Sequence, residues 1–338
     1  MNRKHKIILV AIFISHMVCG CTSLFAQSST LTDLVKEGAT LHDEGDYIKA
    51  IAKYKEALEL DSTSTLANYE IAYSYYALKD YENAKKHCLI TMREYSSEYL
   101  NAALIYGSIM DDLGNPEEAI KFYKKLLKTY PKADLVHYNI AISYSKVSRY
   151  KKAQEHFEAA IINNLGRASS HLALGELMYN KKRRVESLLP LYFFLVIESG
   201  TQRSSHATDL LFEQLGVVTT KNEGDSIKIN LHKAEAYDLQ FSRENTIISM
   251  NAALKEGESE FTWFYTITKS LFESLAENYT MNPGIWRDVY VPIFADLIYS
   301  DHFGAYCRYI SQKRFPESIE WVNEHPYMID DMFKFINN

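Results

Sequence analysis

The chain has 338 residues, of which 47% are hydrophobic and 24% charged, the proportions of a folded rather than a disordered polypeptide, and it is long enough for two domains. Its net charge is −6, and the only Lys or Arg residues before Gln27 are Arg3, Lys4 and Lys6, with no acidic residue among them. The body of the chain is therefore acidic and lacks the basic footprint that a sequence-independent grip on nucleic acid needs.

The first 26 residues read as an export signal, with a basic start, an apolar run from Ile7 to Ile14 and a small-residue exit. Two exits are open. Ser23-Leu24-Phe25-Ala26 suits signal peptidase and would leave a soluble chain starting at Gln27. Met17-Val18-Cys19-Gly20-Cys21 suits lipoprotein processing and would leave Cys21 lipidated. Either way the expected location is outside the cytoplasm, in the periplasm or at the outer membrane. His16 breaks the apolar run, which falls short of the ~20 residues a spanning helix needs.

From residue 27 to 215 the chain repeats itself. Small residues recur at Gly38, Ala72, Gly107, Ala141 and Gly175, and again at Ala50, Ala84, Ala119, Ala153 and Ser187. Units of about 34 residues result, at 31–64, 65–99, 100–133, 134–167 and 168–201. Each reads as two helices that cross where the small side chains sit. The turns between them are Gly45-Asp46-Tyr47, Lys79-Asp80-Tyr81, Gly114-Asn115-Pro116 and Ser148-Arg149-Tyr150. The second helix offers Tyr54, Cys88, Tyr123, Phe157 and Leu191 to the crossing.

The fifth unit departs from this pattern. Its second helix, Leu188 to Ile197, is apolar nearly all round, and such a helix is buried on more than one side. The sequence therefore predicts that the rest of the chain caps this end, as repeat arrays require, and that Pro190 kinks the helix. One further helix is expected over 204–215, with Ser204 or Ser205 as N-cap and Gly216 as its stop. Residues 216–240 form a linker, read as a short β-hairpin or an extended loop around Asn222-Glu223-Gly224-Asp225. The C-terminal domain, 241–338, is helical, with segments at 244–255, 260–279, 284–300, 303–312 and 316–336, the last broken at Pro326. Cys88 and Cys307 are expected as two separate buried thiols.

The units resemble tetratricopeptide repeats, whose period is 34, and the match covers 31–201. The resemblance implies an all-α fold, a right-handed α-solenoid of about five helix hairpins capped by the helical C-terminal domain. Around Ile285-Trp286-Arg287-Asp288 and Ala305-Tyr306-Cys307-Arg308 the chain also resembles secreted repeat proteins of Bacteroidota, which implies export and a shared architecture. In this family the first helix of each unit lines a concave groove at its second, fifth, ninth, twelfth and thirteenth places. Carried onto this chain, those places put Leu66, Tyr69, Tyr73, Tyr76, Leu104, Leu135, Tyr138, Ile142 and Tyr179 on the binding wall. The carboxylate clamp of chaperone-binding relatives is not expected, because Val35 and Ala39 stand where it needs Lys or Arg and Asn.

Gly-rich phosphate loops, nucleophile elbows and zinc-type Cys/His pairings are missing from the sequence, so no cofactor or metal is expected. The resulting expectation is an exported, non-enzymatic scaffold that binds a protein or peptide partner of the cell envelope, with no nucleic acid and no membrane contact beyond a lipid anchor. Three alternatives stay open: an accessory subunit of an outer-membrane assembly or secretion complex, an enzyme confined to 241–338, and a groove filled by the chain's own C-terminal region or its 216–240 segment.

Overall fold

The computed structural model describes residues 30–93, 96–216, 239–251, 258–278 and 281–337. The export signal, with Cys21, and the expected hairpin around Asn222 to Asp225 lie outside these residues. Among the described residues the regular structure is helical throughout, with no strand. Two compact units are formed, one ending at Pro131 and one beginning at Lys132. The first three repeats belong to the first unit; the fourth and fifth belong to the second, together with the C-terminal helices.

In the first unit, helix α1 (30–43) is followed by α2 (Tyr47–Leu60), α3 (Thr65–Ala77), α4 (Tyr81–Thr91), α5 (Tyr99–Asp112) and α6 (Pro116–Leu126). From α2 onward each helix packs on the next in sequence, and α3 also packs on α5, so first helices of neighbouring repeats lie side by side. The second unit continues with α7 (Asp134–Lys146), α8 (Tyr150–Asn163), α9 (Ala168–Asn180), α10 (Arg184–Ile197) and α11 (Gln202–Leu215).

The small residues have a specific job. A Cβ added at Gly38 would sit 2.7 Å from Cδ1 of Tyr54, and one at Gly107 would sit 2.6 Å from the Tyr123 hydroxyl and overlap its ring. At Gly175 the neighbour is Leu191, with Cγ at 2.8 Å. In the second repeat alanine faces the smaller Cys88, and both are fully buried. In the first three repeats the crossing thus trades volume between two positions 16 apart in sequence, with glycine opposite tyrosine and alanine opposite cysteine, whereas the fourth sets Ala141 at the place opposite Phe157 and the fifth sets Gly175 against Leu191.

The turns are equally regular. Gly45, Lys79, Gly114, Ser148 and Lys182 all have φ between 58° and 83°, the left-handed conformation that ends a helix in a Schellman turn. The closing hydrogen bonds repeat in all five: Asp46 N to Leu41 O, Asp80 N to Tyr75 O, Asn115 N to Met110 O, Arg149 N to Tyr144 O and Arg183 N to Met178 O, at 2.8 to 2.9 Å. Glycine occupies the left-handed place in only two of the five. Asp46, Ser64 and Asp80 cap the helices they precede, each accepting from a backbone N–H three residues on.

Helix α10 is buried from Arg184 through Val196 and runs unbroken through Pro190. It is covered by α12 (Ser242–Asn251), by the π-helical turn Trp286–Tyr290 and by α15 (Phe303–Ile310). The Tyr192 hydroxyl is 2.9 Å from Thr268 Oγ1, and its ring meets Phe272 and Phe294 edge-on at 5.1 and 6.1 Å. The C-terminal region therefore caps the array, as the all-apolar helix required. Its remaining helices are α13 (Glu260–Ala276), α14 (Val291–Ile298), α16 (Pro316–Glu324) and α17 (Pro326–Ile336). The expected segment 316–336 breaks at Pro326 as predicted, and 284–300 divides into the π-helical turn and α14.

One expectation needs correction. Helix α11 is capped by Thr201, not by Ser204 or Ser205. The Thr201 hydroxyl accepts from Ser204 N at 3.3 Å, while Ser204 Oγ accepts from Thr201 N at 2.9 Å. This reciprocal pair is a capping box with serine in the third position, so the helix starts about one turn earlier. Gly216 ends it with φ 114°, as expected. Cys88 and Cys307 are both free and buried.

A buried polar node fastens the cap to the fifth repeat. His171, fully buried in α9, donates from Nε2 to the Leu165 carbonyl at 2.8 Å and lies 2.8 Å through Nδ1 from the Tyr290 hydroxyl, which then donates. Burial pushes its pKa down from 6.5 to about 4, against the Leu165 hydrogen bond. The unfolded chain takes up this proton as pH falls through 6.5, whereas the folded chain does not until about 4. The resulting stability is full above pH 6.5 and lost between these values, by about 3 kcal/mol. Thermal melts at pH 7 and pH 4.5 should show a smaller acid-induced fall for His171→Gln than for the parent; equal falls would remove His171 from the acid response.

Candidate functional site

The expected wall residues fall on the first helices of their repeats in two sets, one in each unit. In the first unit, Leu66 and Tyr73 are 38% and 42% exposed, and Tyr69 and Tyr76 are half-buried. Leu104, by contrast, is only 8% exposed, and its carbonyl accepts the Tyr123 hydroxyl at 2.9 Å. It belongs to the crossing rather than to an open surface.

The aromatic side chains of this face form a ladder. His42 stacks on Tyr73 at 4.4 Å, Tyr73 lies parallel to Tyr69 at 6.3 Å, and Tyr47 meets His42 edge-on at 4.9 Å. Ser74 Oγ holds His42 Nδ1 at 2.8 Å, and burial lowers the pKa of the imidazole despite the nearby Asp43, so it is neutral at pH 7. His42 was not singled out among the wall residues. The register carries the signal, since 42 is the twelfth place of the first repeat, the place of Tyr76 and Tyr179.

The tyrosines divide by what their hydroxyls do. Tyr76 donates to Asp112 at 2.9 Å, tying the second repeat to the third, and Tyr81 reaches the same carboxylate at 3.4 Å. Tyr179 donates to Glu213 at 2.7 Å, tying the fifth repeat to α11. Burial, and then Glu213, pushes the Tyr179 phenol up to about 12. These two rings are structural ties. Tyr69, Tyr73 and Tyr138 have no hydrogen-bond partner among the described residues, and burial raises the pKa of Tyr69 to about 12.

In the second unit Leu135, Tyr138, Ile142 and Tyr179 are half-buried, and the Tyr138 ring rests 5.8 Å from Phe157. Beside them an open cleft of about 310 Å³ separates the fourth repeat from the fifth. Its apolar lining is Ile142, Phe157, Ala173 and Leu177, and Ser145, Glu176, Asn180 and Lys181 contribute polar groups. Glu176 pairs with His206 at 3.0 Å, and Lys181 is held by Gln154 at 3.0 Å. Such a cleft suits one apolar side chain flanked by polar backbone. Its lining comes from the fourth and fifth repeats.

Among the described residues no group of three His, Cys, Asp or Glu side chains is arranged to hold a metal, and no helix is long and apolar enough to cross a membrane.

Family profiles described as "TPR repeat" and "Tetratricopeptide repeat" match residues 38–84 and 101–133. The TPR repeat-containing protein MJ1428 of Methanocaldococcus jannaschii is 24% identical over 130 residues, which are 38% of this chain and 22% of that protein. The chain thus spans about a fifth of the length of that relative. Among solved structures, the pilF protein of Pseudomonas aeruginosa is 17% identical with a TM-score of 0.47, over 56% of this chain and 84% of its own. TTC0263, a TPR protein of Thermus thermophilus, is 18% identical with a TM-score of 0.49, over 54% and 98%.

Proposed function

We propose that this chain, which carries tetratricopeptide repeats, is an exported, non-catalytic scaffold of the cell envelope that binds a protein or peptide segment on the first-helix faces of its repeats. Repeat arrays of this kind are typically scaffolds that use such faces for binding. The observation that carries the reading is the ladder of the first unit, where Tyr73 is 42% exposed and the hydroxyls of Tyr69 and Tyr73 are uncommitted. Tyrosine supplies large contact area and a polar tip at low entropy cost. Export rests on the sequence of the first 26 residues, and a mature chain beginning at Gln27 or at an acylated Cys21 would support it.

Crosslinking in the native envelope, followed by purification of the chain with its partner, tests the reading. Because Tyr73 is the most exposed of the three tyrosines, Tyr73→Ala should leave the melting temperature within a few degrees and reduce recovery of the partner, since a single aromatic anchor is commonly worth ~2 kcal/mol or more. Tyr69→Ala and Tyr138→Ala, more deeply set, should lower both stability and recovery. A large fall in the melting temperature of Tyr73→Ala with recovery unchanged would show that the ladder is internal packing.

A further inference from the structure

We propose that the ladder face of the first unit takes a basic segment of its partner, with an arginine or lysine side chain stacked on the Tyr73 ladder and paired with the Asp43 carboxylate beside it. The inference rests on the binding role proposed above and adds the chemistry of the partner.

Charge is the first argument. Of the fifteen wall places in the first three repeats, none holds Lys or Arg, whereas Asp43, Asp111 and Asp112 hold three of them. Asp43 is exposed, whereas Asp111 is buried and Asp112 already accepts the hydroxyls of Tyr76 and Tyr81. Glu70, between the first two repeats, adds a half-buried carboxyl that accepts the Tyr54 hydroxyl at 3.5 Å. Burial, with a smaller push from Asp43, holds Glu70 above its ordinary pKa, so a cation brought to this edge would favour its charged form. The one basic group on the wall, His42, is kept neutral.

Ring chemistry is the second argument. A guanidinium or ammonium group is attracted to the face of a tyrosine, and Tyr73, Tyr69 and His42 present near-parallel rings, with interplanar angles of 22° and 5°. The free phenol oxygens of Tyr69 and Tyr73 are acceptors without a donor, and Lys and Arg supply only donors. An acidic partner would meet repulsion here, and a wholly apolar one would gain nothing from the exposed Asp43 carboxylate.

The purified full chain, panned against a random peptide library and then titrated by fluorescence anisotropy with the enriched peptide, tests this. Enriched peptides should carry Arg or Lys. Replacing the Arg by citrulline, which keeps the shape and removes the charge, should weaken binding about tenfold. Tyr73→Ala and Asp43→Asn should each weaken it while leaving the melting temperature within a few degrees, and raised salt should weaken it further. Equal binding of the citrulline peptide, with loss in Tyr73→Ala, would overturn the basic partner and leave the docking face standing. Enrichment of acidic or purely apolar peptides, or of none, would also overturn it. So would a dimer of the free chain that Tyr73→Ala dissociates, since a second copy would then occupy the face. Crosslinking in the envelope decides the wider binding role separately.

Discussion

Gly107→Leu is expected to unfold the third repeat or to lower the melting temperature steeply. Any Cβ at this place overlaps the Tyr123 ring and approaches its hydroxyl to 2.6 Å, and Tyr123 has nowhere to go: it is fully buried and its hydroxyl is bonded to the Leu104 carbonyl and lies 3.2 Å from Ser108. Overpacking alone costs ~1–3 kcal/mol, and displacing Tyr123 would also break the hydrogen bond from its hydroxyl to the Leu104 carbonyl, a further ~0.5–1.5 kcal/mol. The arrangement of the second repeat supplies the control. There alanine at 72 faces Cys88, so Gly107→Ala should destabilise the chain alone and be partly rescued by Tyr123→Cys, because the two positions share one volume. Thermal or urea melts of five chains, the parent, Gly107→Leu, Gly107→Ala, Tyr123→Cys and the double variant, measure this. An unchanged melting temperature for Gly107→Leu, or an additive double variant, would show that the helices do not meet at this crossing.

How far the fold could be read in advance depends on the range of each interaction. The period, the crossing residues and the turn places are local or nearly so, and Gly38, Gly107 and Gly175 stand where their volume argument put them. The turns show the limit of composition: Lys79, Ser148 and Lys182 adopt the left-handed conformation without being glycine, because the repeat register and the closing hydrogen bonds impose it. The cap of α11 was misplaced because a capping box usually carries Glu or Gln in its third position, and here Ser204 fills that role. The His171–Tyr290 contact joins residues 119 apart and leaves no trace in local pattern. Counting places put Leu66 and Tyr73 where the structure leaves them exposed, and put Leu104 where it is buried. Counting could not decide which tyrosines are free, since that depends on whether the next unit supplies a carboxylate, as Asp112 and Glu213 do for Tyr76 and Tyr179.

A chain ended at Gly200 is expected to be insoluble or oligomeric. Thirteen consecutive residues, Arg184 to Val196, are buried in the intact protein, and removing residues 201–338 strips α11, α12, the Trp286–Tyr290 turn and α15 from them. Tyr192, Phe193, Phe194 and Leu195 would lose cover together, at ~1.5–3 kcal/mol for each large side chain returned to water. Contiguous apolar patches of more than a few hundred Å² drive association. The loss of Tyr290 would also leave Nδ1 of His171 without its donor. Size-exclusion chromatography with light scattering on residues 27–200 measures the outcome. A full-length Phe272→Ala chain separates loss of cover from loss of chain, since it removes a ring packed on Tyr192 at 5.1 Å and on Phe294 at 4.4 Å and should cost ~3–5 kcal/mol without truncation. A soluble monomer from the short chain, with Phe272→Ala melting like the parent, would mean that the C-terminal helices are not what covers the fifth repeat.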